Sequence, residues 1–266
     1  LLLFLAKKHS FDPGSMTLGV VGVGNVGSRV ARAANALGMR VLLNDPPRQR
    51  SEEGRDMNTG GTDLHKEDRR SDTQFHPLGK LLQESDILTL HVPLTMEGID
   101  KTFHLIDREV LSLPVKHKII INTSRGEVVD NIALREALKS GRLRGAALDV
   151  WEGEPAADPE LVDLADLATT HIAGYSVDGK ANATVSSVRT VAAVLGLPMR
   201  DWVPASLPQP ARPLIDLTAT GGAAPLDLVA QAVLHTYPIT EDDQLFRNGK
   251  GNFEYLRDNY RIRREF

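Results

Sequence analysis

The chain has 266 residues, 41% of them hydrophobic and 25% charged, ordinary values for a globular fold and outside the ranges of collagen-like, disordered or disulfide-framed chains. Lys and Arg total 31 against 35 Asp and Glu, a formal net charge of -4, so no basic field exists to draw in nucleic acid or an anionic membrane surface. Cysteine is absent, which removes thiolate nucleophiles, disulfides and Cys-ligated metals together and fits a reducing cytoplasm; no metal site is expected.

The length allows one or two domains. The apolar opening Leu1 to Ala6, followed by Lys7-Lys8-His9, is too short to span a bilayer and wrongly ordered for a signal peptide. It is expected to form the last turns of a helix, in a stretch cut from a longer polypeptide. From Thr17 onward, short apolar runs at Leu18–Val23, Val41–Leu43, Ile87–Leu90, Ile119–Ile121, Ala146–Leu148 and, more weakly, Leu167–Thr170 alternate with helical patterns at Val26–Leu37, Pro77–Gln83, Asn131–Lys139 and Gly179–Leu195. This alternation predicts an α/β fold with a doubly wound parallel sheet, and the wholly apolar Ile119-Ile120-Ile121 suits a strand covered on both faces. Between Ser51 and Phe75 lie eleven charged residues and only three large apolar ones, Met57, Leu64 and Phe75, which predicts a solvated insertion. Pro198, Pro204, Pro208, Pro210 and Pro213 mark a linker. Beyond it, a strand-like Leu214–Leu217 and helices at Leu226–Leu234 and Phe253–Arg264 suggest a small α+β module.

Gly22-Val23-Gly24-Asn25-Val26-Gly27 follows a strand and opens a helix. A dinucleotide fingerprint needs this context: the first glycine permits the tight turn, the second lets a pyrophosphate approach the backbone, and the third lets helix pack on strand. Asp45, 18 residues past Gly27 at the end of the second strand, can accept from adenosine ribose hydroxyls and repels a 2'-phosphate, favouring NAD over NADP. Arg48 is the one nearby residue that speaks against that choice.

Three later segments place polar residues at the carboxyl ends of strands: Asn122–Gly126, Asp149–Pro155 and Thr170–Tyr175. An arginine, a carboxylate and a histidine thus converge on the rim where open parallel sheets bind ligands. Oxidation of an alcohol needs a cation to hold a carboxylate and polarise a carbonyl, an acid/base group and a hydride acceptor. Arg125 offers the bidentate fork and His171 the acid/base group. Glu154 would orient the imidazole and stabilise its protonated form, with Glu152 and Asp149 as competitors for that role. His91 also ends a strand, and with Val92-Pro93-Leu94 it is read as a wall beside the cofactor.

These residues resemble the D-isomer-specific 2-hydroxyacid dehydrogenases, through Gly22–Gly27, NTSRGEVVD at 122–130, LDVWEGEP at 148–155 and His171. Where many relatives have a proline before the histidine, this chain has Thr170. The resemblance implies Arg125, Glu154 and His171 as catalytic residues, with His171 the proton donor. It implies that Gly24, Asn25, Val26, Asp45, Val92, Thr123, Ser124, Arg125, Asp149 and Gly174 line NAD and that Tyr175 touches substrate. NDPPR at 44–48, WEGEP at 151–155 and HIAGYSVDGKA at 171–181 are most like a member acting on a small phosphorylated 2-hydroxy acid as a homodimer. The implied organisation is the end of an interdomain helix at 1–16 and a Rossmann domain at 17–177 with a flexible insertion at 51–75. An interdomain helix at 178–197, a linker at 198–213 and a partial dimerisation module at 214–266 follow, and the front part of the substrate domain is absent. The alternatives are a dehydrogenase of phosphoglycerate, glycerate or hydroxypyruvate, and a non-catalytic NAD(H)-sensing protein.

Overall fold

The computed structural model describes residues 1–56, 74–113, 118–210, 213–217, 224–249 and 252–265. Helix α1 (Leu2–His9) leads into β1 (Thr17–Val21), α2 (Asn25–Ala36), β2 (Arg40–Asn44), α3 (Pro46–Asp56) and α4 (Leu78–Glu84). Next come β3 (Ile87–Leu90), α5 (Arg108–Ser112), β4 (Ile119–Asn122), α6 (Asn131–Lys139), β5 (Gly145–Leu148), α7 (Pro159–Leu164) and the short β6 (Leu167–Ala168). The long α8 (Val177–Leu195) precedes three C-terminal helices, α9 (Pro225–Thr236), α10 (Ile239–Asn248) and α11 (Phe253–Asp258).

The six strands form one parallel sheet in the order β2-β1-β3-β4-β5-β6. The chain winds outward in one direction from β1 to β2 and in the other from β3 to β6, so the crevice lies beyond the carboxyl ends of β1 and β3. Residues alternate between faces along each strand: Leu88, Leu90, Ile120 and Leu148 enter one apolar layer, while Leu18, Val20, Ile87, Ile119 and Ile121 enter the other. Both layers are buried, which is why these strands are predominantly apolar. Helix starts are written in side chains: Asp107 caps α5, Asp130 caps α6, Asp158 caps α7, and Ser176 caps α8 by accepting from Gly179 N. Each cap satisfies a backbone donor that the first turn cannot.

The apolar opening is helical, and Leu5 is fully buried against the second layer. Three expectations need correcting. The solvated insertion does not begin at Ser51: α3 continues to Asp56, supported by the Arg48–Glu52 pair at 2.7 Å, an i,i+4 spacing. Nor does it reach Phe75, which bridges Leu43 and packs on the core; residues 57–73 lie outside the described ones. Leu214–Leu217 is irregular rather than a strand, and among the described residues no strand follows Ala168. The outer edge of β6 is taken by α10, whose Asp243 accepts from Ala168 N at 2.7 Å. Arg247 of the same helix donates to Val162 O at 2.5 Å and Ala165 O at 2.9 Å. No helix among the described residues is long and apolar enough to cross a membrane.

Candidate active site

The turn after β1 is shaped by missing side chains. Gly22 has φ +85, and a Cβ there would lie 2.6 Å from His91 O and 2.9 Å from the Val92 side chain. A Cβ on Gly27 would lie 1.9 Å from Gly22 O, whereas one on Gly24 would meet nothing within 4 Å. The first and third glycines therefore allow close packing, and the second faces open space. Gly24 is the N-cap of α2 and no side chain caps that helix, so the first amides, beginning at Asn25 and the 57% exposed Val26, remain free for an anion. This unfilled cradle fits the pyrophosphate of a dinucleotide.

Asp45 begins the segment after β2 and already accepts from Val23 N at 2.8 Å and Arg48 N at 3.0 Å. Its carboxylate clamps the glycine turn and keeps lone-pair capacity for further donors. Arg48 donates to Val23 O and pairs with Glu52, both at 2.7 Å, and lies over Phe75. A cavity of 630 Å³ opens beside α2 and the sheet, lined in part by Val26, Thr89, His91, Thr123, Asp149 and Ala173. Burial lowers the His91 pKa from 6.5 to about 4, and its Nε2 hydrogen-bonds Thr89 Oγ1 at 2.9 Å. His91 is thus a neutral wall residue at neutral pH.

The loops after β4 and β5 meet backbone to backbone. A Cβ on Gly126 would sit 2.0 Å from the carbonyl of Trp151, so this glycine brings Arg125 alongside the carboxylate-bearing loop. The Asn122 side chain shapes the turn by accepting from Ser124 N and Oγ and donating to Arg125 O. The Arg125 guanidinium is exposed and donates to Ser124 O at 2.6 Å.

Geometry separates the three competing carboxylates. Glu154 Oε2 accepts from His171 Nδ1 at 2.8 Å while its Oε1 accepts from Trp151 N at 2.9 Å. Glu152 is spent elsewhere, on His104 Nε2 at 2.7 Å and on Asn131 N at 3.2 Å. Asp149 is buried and braces the histidine loop from below: it accepts from Thr169 Oγ1 at 2.6 Å, Ile172 N at 2.8 Å and Ala173 N at 2.9 Å. Burial still raises the Asp149 carboxyl above the ordinary range, against those hydrogen bonds. His171 N donates to Asp149 O at 2.6 Å, and the residue adopts φ +57, an uncommon conformation for a residue with a side chain. Gly174 is exposed with open space over its Cα. Tyr175 lies beyond it, accepting from Arg257 Nε at 2.8 Å.

Residues 6–173 match the model of the D-isomer specific 2-hydroxyacid dehydrogenase, NAD binding domain. The chain belongs to that family. It is similar to the erythronate-4-phosphate dehydrogenase of Proteus mirabilis, 39% identical over an alignment of 268 residues covering 100% of this chain and 66% of that protein. The enzyme of the same name from Bacteroides fragilis is 40% identical, over 99% of this chain and 68% of its own length. The chain therefore spans 66% of the length of the first of these relatives. The crystal structure of D-lactate dehydrogenase from Aquifex aeolicus, complexed with NAD and lactic acid, superposes with a TM-score of 0.54 at 32% identity, covering 72% of this chain and 60% of that one. The matched domain is the family's NAD-binding domain.

The sequence reading missed Thr169 and the Trp151 ring, which ties the two loops together through Nε1 donating to Thr169 O at 2.8 Å. It also missed Arg257 and Arg263, which lie more than eighty positions from the loop they touch. A strand-end threonine carries a weak local signal, whereas the arginines carry none, because only the chain's return path brings them there.

Proposed function

We propose that the complete protein oxidises 4-phospho-D-erythronate at C2 to the 2-oxo acid phosphate, a step of vitamin B6 biosynthesis, with NAD as cofactor. The observation that carries this reading is the 2.8 Å contact between Glu154 Oε2 and His171 Nδ1. Bound NAD supplies the hydride acceptor for the C2 hydrogen and its electron pair. Glu154, itself held by Trp151 N, keeps the Nδ1 proton in place and leaves His171 Nε2 as the acceptor. That nitrogen receives the C2 hydroxyl proton as the alcohol becomes a carbonyl. Arg125, whose guanidinium is bonded only to a neutral carbonyl among the described residues, holds the substrate carboxylate through its fork of N–H donors. Gly24, Asn25, Val26, Asp45, Val92, Thr123, Ser124, Asp149 and Gly174 surround the cofactor. The names of the relatives support the choice of acid, and the Glu154–His171 pair supports a dehydrogenase over a nucleotide sensor.

The same reading takes 17–177 as the cofactor domain, 178–197 as an interdomain helix and 214–266 as part of a module forming a cytoplasmic homodimer; the exposed Val229, Val233, Leu245 and Tyr255 support that last assignment. The test is to follow NADH absorbance with the complete protein on 4-phospho-D-erythronate, phosphoglycerate and glycerate, and on hydroxypyruvate in reverse. The expected result is a kcat/KM for 4-phospho-D-erythronate about 100-fold above the others. A higher value for any other acid, or turnover of none, overturns the assignment.

A further inference from the structure

Two cations converge on one phenol at the far end of the histidine loop. Arg257 Nε donates to the Tyr175 hydroxyl at 2.8 Å, with its guanidinium carbon 5.6 Å from the ring centre. Lys180 Nζ, one turn into α8, lies 4.0 Å from the same ring centre. The neighbouring arginines are already neutralised: Arg264 pairs with Asp178 at 2.9 Å, and Arg261 with Asp242 at 3.1 Å. Arg263 is spent on the carbonyls of Ile172 at 3.2 Å and Ala173 at 2.8 Å. Among the described residues no carboxylate pairs with Lys180 or Arg257, and the two positive charges stand together beside one phenol. Gly174, over whose Cα nothing lies within 4 Å, falls between His171 and Tyr175 along the loop.

We propose that Lys180, Arg257 and the Tyr175 hydroxyl form the subsite for the phosphate monoester of the substrate. This rests on the function proposed above, which needs a site for a dianion beyond the reacting carbon. Two carbons and an ester oxygen separate C2 of the acid from phosphorus. A substrate with its carboxylate at Arg125 and its hydroxyl at His171 extends along the loop, over Gly174, toward Tyr175. Arg257 supplies a planar set of donors, Lys180 a mobile point charge, and the phenol a donor once its oxygen is oriented by Arg257. Arg257 comes from the C-terminal module, so the site would couple that module to recognition of the phosphate.

The test uses the complete protein carrying Lys180→Gln or Arg257→Gln, assayed on 4-phospho-D-erythronate and on D-erythronate, with inorganic phosphate as a competitive inhibitor. Each variant is expected to raise KM for the phosphorylated acid about 10- to 100-fold, to weaken inhibition by phosphate to a similar degree, and to change kcat/KM on D-erythronate by less than about twofold. Lys180→Arg is expected to recover most of the loss. An equal loss on both acids, or an unchanged KM, overturns the subsite. If Arg257→Gln does not fold, the exposed Lys180 carries the decision, since its replacement leaves the core intact. If the unmodified protein turns over neither acid, the function reading falls, and titration of inorganic phosphate into the protein and the Lys180→Gln variant still decides the subsite: tighter binding to the unmodified protein supports it, and equal binding refutes it.

Discussion

At the turn after β1, atoms are left out: a Cβ at Gly27 would collide with Gly22 O, while one at Gly24 would meet nothing. At the rim after β5 the polar atoms are taken instead. Asp149 accepts three hydrogen bonds, Glu154 two, and no buried side-chain polar atom among the described residues lacks a partner. The first region offers bare backbone dipoles to a large anionic ligand, which brings its own shape. Under the proposed function the second must present a single nitrogen in a single orientation, and its side chains are already fixed by neighbours.

Removing the proposed proton acceptor at the rim should have the largest effect. In the complete protein, His171→Ala is expected to lower kcat by about 10²- to 10⁴-fold while leaving NADH affinity nearly unchanged; turnover within about twofold of the parent takes His171 out of the mechanism. Two substitutions at the glycine turn should part ways. Gly27→Ala forces α2 away from β1 and is expected to cost about 1–3 kcal/mol of stability, visible as a lower melting temperature. Gly24→Ala should melt like the parent yet bind NADH about 10-fold more weakly, because its methyl group occupies the space over the helix amides. Equal melting temperatures for the two variants would contradict the packing described.

A smaller effect concerns the wall between the two regions. His91 stays neutral down to about pH 4 in the fold, whereas an unfolded histidine takes up a proton near its ordinary value of 6.5. The unfolded state therefore binds more protons in that window, so stability should fall as pH drops from 6.5 toward 4. His91→Gln removes this term, and its melting temperature should decline less steeply over the same range. Parallel melting curves would exclude His91 as a source of acid sensitivity.

Much of this was legible along the chain because local rules governed it. The apolar runs of β1, β3 and β4, the helix from Asn131 to Lys139 and the spacing of the glycines all express short-range periodicity or turn chemistry. Leu214–Leu217 shows where that logic stops. Its composition suits a strand, yet among the described residues it pairs with none, and the edge beyond β6 is taken by α10 through Asp243. Helix α10 itself escaped notice because only Ile239, Asp242 and Phe246 are buried along it, too sparse a pattern to announce a face. Phe75 was assigned to a solvated run by the charges around it, whereas its place is set by Leu43 on β2.

The sequence by itself determined the family motifs: a glycine turn opening a helix, an arginine, a set of acidic residues and a histidine, each at the end of a strand. Those features are contiguous motifs, readable because the backbone geometry that a motif demands is local. Tertiary structure decided which carboxylate holds His171, since Glu152 and Glu154 differ by two positions and only the fold sends one to Asn131 and His104 and the other to the imidazole. It also brought Arg257 to Tyr175 across 82 positions. Contacts at that separation follow from how the C-terminal helices return over the sheet, and no local pattern encodes that path.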